Sequence, residues 1–391
     1  MLTYFLLSNF LKHRRLEELR KKTQQKQPCL PAYYMWYSFL WIGIPFIVLL
    51  LAENIKVVSF FSSNDLKKIL YPGVLLIFSG VGWVLTYKTI VERKCVRKPV
   101  EKALQRFMLF LTIVILIIIV LVLGVLLFES MRFFSQVSFF SFIFGTNWMP
   151  NDLLESANNF GAAPLFLGTL FITFLALIIT VPLGTMVAIC LCEYANKHVM
   201  QILRPALETM AGIPTVVYGF FAAIVVAPFF QEIALFFGIA ASAQSAITAG
   251  VVLGVMLIPM LTSLYMDVLN AVPNSLREAS LGLGATKSET IIKVVLPIAK
   301  PGMVGALLLT FSRAIGETML VVMAAGLAAN LTLNPFSSVT TVTVQIVSLL
   351  TGDQEFDSLQ TLSAFALGFI LFFITLLINF VAERFSKKVI V

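Results

Sequence analysis

The chain has 391 residues, a length that by itself would suit two or three soluble domains. Composition excludes them, because 59% of the residues are hydrophobic and 12% are charged, whereas soluble domains carry about 25% charged residues. The chain is therefore a polytopic membrane protein, and disordered, secreted disulfide-rich and nucleic-acid-binding proteins are excluded. We expect its net charge of +8 to record which loops stay in the cytoplasm.

Eight apolar stretches are long enough to cross a membrane, which takes about 20 residues. They lie at about 34–52, 69–87, 107–128, 163–192, 210–230, 245–266, 302–327 and 362–382. Residues 1–11 are apolar but too short to span, and we interpret them as a surface anchor or a shortened extra span. If the N-terminus lies inside, most of the 28 Lys and Arg fall in inside loops. The positive-inside rule then predicts that both termini are cytoplasmic.

The first two spans differ from the rest of the chain. Basic segments flank them, whereas later spans are closely spaced and joined by loops rich in Gly and Pro. We predict an N-terminal extension at 1–106 with two spans, and a core membrane domain at 107–391. The aromatic outside loop at 129–162 is expected in the membrane interface, and the outside loop at 328–361 is expected to contain a short helix.

The chain shows no sequence pattern for a metal site or a cofactor. Its four cysteines and two histidines lack the spacing of zinc ligands. No histidine falls in a predicted span, which disfavours a membrane-embedded enzyme. The segment Gly282–Ser288 looks like part of a phosphate-binding loop, but Thr286 stands where such a loop needs glycine before its lysine. ATP hydrolysis would therefore belong to another chain.

The longest cytoplasmic loop of the core, at 267–301, predicts two short helices joined by a turn. Pro273 suits the first turn of a helix, and the glycines up to Gly284 would end that helix. Thr286 and Glu289 have the spacing of a capping box at the start of the next. Pro297 is expected to end that second helix.

This loop resembles the coupling loop of ABC importer permeases. Their pattern is Glu-Ala-Ala, three residues, Gly, nine residues, Ile, any residue and Leu-Pro. Here the matching residues are Glu278, Ala279, Ser280, Gly284, Val294, Leu296 and Pro297. Serine in place of the second alanine and valine in place of isoleucine are mild departures. The resemblance implies a helix that docks on a cytoplasmic ATPase and couples nucleotide-driven closure to movement of the spans.

Two ionisable residues fall inside the predicted span at 302–327. Arg313 and Glu317 are four residues apart, which on a continuous helix would place them on one face and let them pair. One interpretation is a structural ion pair that neutralises itself. The other is a site on a translocation path, because ionisable residues within membrane spans are functional candidates.

Gly212 and Pro214 make the start of the span at about 210–230 irregular. These residues interrupt the helix there, which frees backbone groups that protein or water must satisfy. Together with the segments around Arg313 and the coupling loop, this stretch resembles the permeases of the Pst phosphate importer, in particular the PstC-type subunit. The resemblance covers about 107–385, and the extension at 1–106 resembles the extended form of that subunit.

That resemblance implies an all-α fold, the type I ABC importer transmembrane domain with six core helices plus about two N-terminal ones, in the cell inner membrane. It implies a heterodimer with a PstA-type permease, two copies of a cytoplasmic ATPase and a periplasmic phosphate-binding protein. Inorganic phosphate would pass between the permeases, in contact with Arg313 and Glu317. No cofactor and no nucleic acid is implied, and lipid surrounds the spans.

Two alternatives remain at this stage. The first is a permease for another oxyanion, sulfate or molybdate. The second is an ion-coupled secondary transporter, which would be expected to show inverted repeats and coupling-ion sites on broken helices. The second is disfavoured, because a coupling loop would then have no task.

Overall fold

The computed structural model describes residues 97–150, 159–239, 242–351 and 357–386, with single positions at 37, 84 and 88. The chain divides into two compact units, Met1–Val120 and Leu121–Val391. The predicted N-terminal anchor and the first two predicted spans lie almost wholly outside the described residues. The proposed domain boundary at 106 therefore stays a prediction.

The described residues form a helical protein, and we number its α-helices in chain order. The first seven are α1 Arg97–Phe134, α2 Phe139–Phe144, α3 Ala163–Ile189, α4 Lys197–Ala211, α5 Thr215–Phe221, α6 Ala227–Phe236 and α7 Ala246–Asn270. The other six are α8 Asn274–Gly282, α9 Lys287–Thr290, α10 Leu296–Ile315, α11 Met319–Ala324, α12 Val342–Leu350 and α13 Leu359–Ser386. The only β-pairing among these residues is an isolated antiparallel bridge between Trp148 and Phe160.

Within the described part of the chain, six helical segments are long and apolar enough to cross a membrane. They are Val100–Phe134, Ala163–Tyr194, Thr215–Phe236, Ala246–Asn270, Lys287–Ile315 and Leu359–Phe385. The six predicted core spans are therefore confirmed, with one shift. The span expected at about 302–327 begins and ends earlier, as Lys287–Ile315.

Two of these spans continue through prolines because a π-helical turn precedes each proline. The turn Ala222–Val226 precedes Pro228, and the turn Ile291–Val295 precedes Pro297. In the second, the backbone N–H of Leu296 donates to the carbonyl of Ile291, one residue further back than in an α-helix. Such a bulge changes the hydrogen-bond register where proline lacks its N–H, so the helix bends rather than ends.

The core is formed by α3 and α7, which lie close together along their length. The hydroxyl of Thr180 on α3 is within hydrogen-bond distance of two carbonyls, that of Ala176 on its own helix and that of Gly254 on α7, which lies at 2.8 Å. Small and branched side chains fill the contact, among them Ile172, Ala176, Leu253 and Leu257. By contrast, most apolar side chains of α1 are exposed in the isolated chain, as expected of residues that face lipid or a partner subunit.

The described parts of the two segments that are predicted to lie outside, 129–162 and 328–361, pack into a small aromatic cap. Phe133 and Phe142 are fully buried, and their rings meet edge to face with centres 5.0 Å apart. Trp148 donates from Nε1 to Oε1 of Gln345 on α12 at 3.1 Å. The short helix expected in the loop at 328–361 is thus confirmed as α12. The expectation that the 129–162 loop lies in the membrane interface stays a prediction; the buried rings of this loop pack on one another.

Candidate functional site

The loop at 267–301, which is predicted to be cytoplasmic, folds into a helical hairpin formed by α8 and α9. Pro273 precedes α8 as its N-cap, and Gly284 follows it with a φ of +86°. That left-handed conformation costs little only for glycine, which explains the residue at the turn. Thr286 and Glu289 form the predicted capping box: Thr286 Oγ1 accepts from the Glu289 amide at 3.3 Å, and the Thr286 amide donates to the Glu289 carboxylate at 3.0 Å.

The first part of the coupling motif lies on the outer side of this hairpin. Glu278, Ala279 and Gly284 are exposed, and the neighbouring Leu283 is almost fully exposed. An apolar side chain so placed beside a rigid turn suits insertion into a groove on another protein. Ser280, which departs from the family pattern, shares a 2.9 Å hydrogen bond with the hydroxyl of Thr290 and so joins the two arms of the hairpin.

The second part of the motif lies on the span itself, which corrects the sequence-based expectation. Val294 belongs to the π-helical turn, and Leu296 and Pro297 are the first residues of α10. Pro297 does not end a separate loop helix, because the preceding π-helical turn lets the chain continue. As a result, α9, the turn and α10 form one helical segment, Lys287–Ile315. At about 1.5 Å per residue this segment is about 40 Å long.

An ion pair that the sequence did not reveal anchors the hairpin. Arg277 on α8 lies 3.1 Å from a carboxylate oxygen of Glu193, in the π-helical turn after α3. Arg277 also donates to the carbonyls of Leu269 and Val272 at the end of α7. Next to Glu193, the ring of Tyr194 lies 5.0 Å from the ammonium nitrogen of Lys287, a cation–π contact. Glu193 and Arg277 are 84 residues apart, so no local pattern could have found this pair.

Arg313 and Glu317 lie at the other end of the Lys287–Ile315 segment, and they do not form the predicted pair. The helix ends at Ile315 with Gly316 as its C-cap, so Glu317 is no longer on the face that carries Arg313. Arg313 is exposed and Glu317 is 9% exposed. Within the described ranges, neither side chain makes an ion pair with the other or with any third group.

The backbone groups freed at this helix break are partly satisfied by nearby hydroxyls. Thr343 Oγ1 on α12 donates to the carbonyl of Glu317 at 2.9 Å, and Thr318 Oγ1 donates to the carbonyl of Gly316 at 3.3 Å. Non-helical backbone at membrane depth is tolerated only where protein or water supplies such partners. The fold therefore supplies hydrogen-bond partners that stabilise this helix break.

The predicted break at Gly212 and Pro214 also forms, and it belongs to the same part of the molecule. Gly212 is the C-cap of α4 and Pro214 is the N-cap of α5, while the hydroxyl of Tyr218 donates to the carbonyl of Met210 across the interruption at 3.1 Å. Beyond this break, α5 packs against α11 at Gly219. Thus each of the two packed helices directly follows a break. The sequence predicted the break at Gly212 and Pro214, whereas the break at Gly316 is a finding of the structure.

The fold and the hairpin agree with a comparison of the chain against family models. The family described as "Binding-protein-dependent transport system inner membrane component" matches residues 180–391. The chain belongs to this family, whose members are membrane-spanning subunits of transporters that work with a binding protein.

Among individual relatives, the chain is similar to PstC-type permeases. It is 35% identical over 282 residues to the phosphate transport system permease protein PstC of Pasteurella multocida, covering 67% of this chain and 85% of that protein. The PstC of Mesorhizobium japonicum is 33% identical over 265 residues, 64% of this chain and 79% of that protein. The probable ABC transporter permease protein YqgH of Bacillus subtilis is 34% identical over 252 residues, 63% and 79% of the two chains.

Proposed function

We propose that this chain is the permease subunit of an ATP-driven importer of inorganic phosphate, and that it forms half of the translocation path. The observation that carries the proposal is the capped and exposed hairpin at α8 and α9, which gives the membrane domain a docking element for an ATPase. The choice of phosphate rests on the similarity to PstC-type permeases. This similarity is the reason to prefer phosphate over the two alternatives, sulfate and molybdate.

The proposed assembly consists of five protein chains, and phosphate is the transported substrate. This permease pairs with a PstA-type permease, two copies of an ATPase dock below, and a periplasmic phosphate-binding protein delivers phosphate from outside. The complex lies in the cell inner membrane with both termini of this chain in the cytoplasm. The chain itself hydrolyses no ATP, and the basic loops account for its orientation.

The Lys287–Ile315 segment suggests how ATPase movement would reach the path. Its cytoplasmic end carries the hairpin, and Arg313 lies in the last turn at its other end. Because Ser280 on α8 is hydrogen-bonded to Thr290 within this continuous segment, a push on α8 is expected to move the Arg313 end as well. The docking site and the anion contact would then lie at the two ends of one continuous helical segment about 40 Å long.

Arg313 is the residue that we propose contacts phosphate. It is exposed on a span, and within the described residues it is bound by no carboxylate. A guanidinium presents a planar fork of donors that fits two phosphate oxygens, and an unpaired one is free to do so. Glu317, buried at the helix break beside it, is proposed to shape that end of the path without holding Arg313 in this conformation.

ATPase stimulation in the assembled complex tests the choice of substrate. The complex is reconstituted with its ATPase in nanodiscs, and hydrolysis is measured with binding protein that has been equilibrated with phosphate, sulfate or molybdate. The proposal predicts stimulation by phosphate alone. Stimulation by sulfate or molybdate, with phosphate inactive, would assign the permease to a different oxyanion.

A further inference from the structure

Arg277 connects the coupling helix to two membrane spans at once. Its guanidinium reaches Glu193 after α3, the Leu269 carbonyl in the last turn of α7 and the Val272 carbonyl just beyond it. It also contacts Asn274 Oδ1 at 3.1 Å, within α8. All three nitrogens of the side chain are therefore used, and the contacts lie on separate elements of the fold.

The Arg277–Glu193 pair differs from the surface ion pairs of this chain. Its side chains are 16% and 9% exposed, whereas those of the cytoplasmic pair Arg204–Glu208 are 54% and 65% exposed. Exposed pairs contribute little because water and salt screen them. A largely buried pair costs free energy to desolvate, and removal of one partner leaves the other charge uncompensated. Such a pair therefore holds Arg277 on α8 and Glu193 after α3 in one relative position.

The hydrogen-bond pattern requires arginine in particular. The last carbonyls of a helix have no partners within the helix, and a cation there is also favoured by the helix dipole. Arg277 donates to the Leu269 carbonyl at the end of α7 in this way, and its Nε donates to the Glu193 carboxylate. A lysine ammonium is a single point charge on a flexible stem, and it cannot reach all of these acceptors together.

On its other side, the coupling helix is connected to the next span. Ser280 shares its hydrogen bond with Thr290, which is buried and belongs to the segment that continues into α10. The coupling helix is thus tied to α3 and α7 through Arg277, and to α10 through Ser280.

We propose that Arg277 is a positioning residue for coupling: it transmits displacement of the coupling helix to α3 and α7, and Glu193 is its counterpart on α3. This inference rests on the proposed function, since it requires that an ATPase moves α8. It assigns a role to a residue beside the coupling motif that contacts neither the transported anion nor the nucleotide.

The test compares Arg277→Lys, Arg277→Gln and Glu193→Gln with the control Arg204→Gln in the full complex. Phosphate uptake into proteoliposomes and ATP hydrolysis are measured together, and their ratio is the readout. In Arg277→Gln and Glu193→Gln a buried charge loses its partner, and in Arg277→Lys the charge stays but the several acceptors can no longer be reached together. We therefore expect the uptake per ATP to fall about tenfold in these variants and to change less than about twofold in the control. A wild-type ratio in Arg277→Gln and Glu193→Gln overturns the proposal.

The amount of assembled complex is also measured, because it distinguishes a defect in folding from a defect in coupling. A purely structural residue would lower that amount and leave the ratio of uptake to hydrolysis in the surviving complex unchanged, which also overturns the proposal. If Arg277→Gln does not assemble, Glu193→Gln decides, because it keeps both the shape of the side chain and the arginine caps on α7. Failure of the proposed function is distinct, because the wild-type complex would then show no uptake.

Discussion

Gly219 on α5 lies against Leu320 on α11, so that a Cβ atom at the glycine would be 3.1 Å from the Cα of Leu320. The same atom would be 3.0 Å from Sδ of Met323 and 3.3 Å from the carbonyl oxygen of Met319. Small residues let membrane helices approach this closely. The contact joins the helices that follow the two breaks, so it holds the candidate anion path together.

The Gly219→Ala substitution is therefore expected to destabilise the permease. The added methyl group would lie closer to Met323 and Leu320 than methyl groups normally do, so these neighbours must shift by a few tenths of an ångström. Overpacking of a helix contact costs about 1–3 kcal/mol. Thermal unfolding of the purified complex in detergent measures the effect. The matched control is Gly124→Ala on α1, where an added Cβ would meet nothing within 4 Å. Equal thermal stability of the two variants would show that the α5–α11 contact adapts freely.

Replacement of Arg313 is expected to abolish transport and leave assembly unchanged. Arg313→Gln removes the cation proposed to bind phosphate, and Arg313→Lys keeps the charge but loses the donor fork. We expect uptake to fall by at least about tenfold in the first variant and by less in the second. The control Arg132→Gln removes a cation at the end of α1 that is already paired with Glu129 and Asp357. Wild-type uptake by Arg313→Gln would remove this residue from the path.

The absence of an Arg313–Glu317 pair is tested by a double-mutant cycle. Because no ion pair joins them in this conformation, Arg313→Gln and Glu317→Gln should have additive effects on the thermal stability of the resting complex. The expected coupling energy is below about 0.5 kcal/mol, whereas contacting residues commonly couple more strongly. A larger favourable coupling would show that the pair exists in the resting state.

We expect that residues which avoid a positive φ cannot replace Gly284 without loss of function. Gly284→Val forces a branched side chain into the left-handed region, which costs about 1–2 kcal/mol, and should uncouple the ATPase from uptake. Gly284→Asn should be tolerated better, because asparagine adopts this conformation more readily. The control is Gly282→Ala on α8, where there is equally open space but no positive φ. If Gly284→Val couples as well as Gly282→Ala, the turn conformation does not matter for docking.

The coupling hairpin could be predicted almost completely from the sequence because its determinants are local. The turn at Gly284 and the capping box of Thr286 with Glu289 each depend on a few neighbouring residues. The interruption at Gly212 and Pro214 is local in the same sense. Such features are fixed by backbone geometry, and the rest of the fold does not override them.

Two predictions were wrong because each rested on a single local feature of a helix, one proline in the first case and a four-residue spacing in the second. Pro297 was expected to end a helix, but the π-helical turn before it changes the hydrogen-bond register and the helix continues. Arg313 and Glu317 have pairing distance on an ideal helix, but the helix ends between them. The Arg277–Glu193 pair was missed for a different reason, since the two residues are far apart in the chain and only the tertiary fold brings the turn after α3 to Arg277 on α8.

The most direct test of the account is ATP-driven uptake of labelled phosphate by proteoliposomes that contain the full transporter and receive loaded binding protein from outside. The account predicts that phosphate accumulates when ATP is hydrolysed on the ATPase side, and that accumulation stops with a non-hydrolysable ATP analogue. Hydrolysis that is stimulated by phosphate but brings no phosphate into the vesicles would contradict the account.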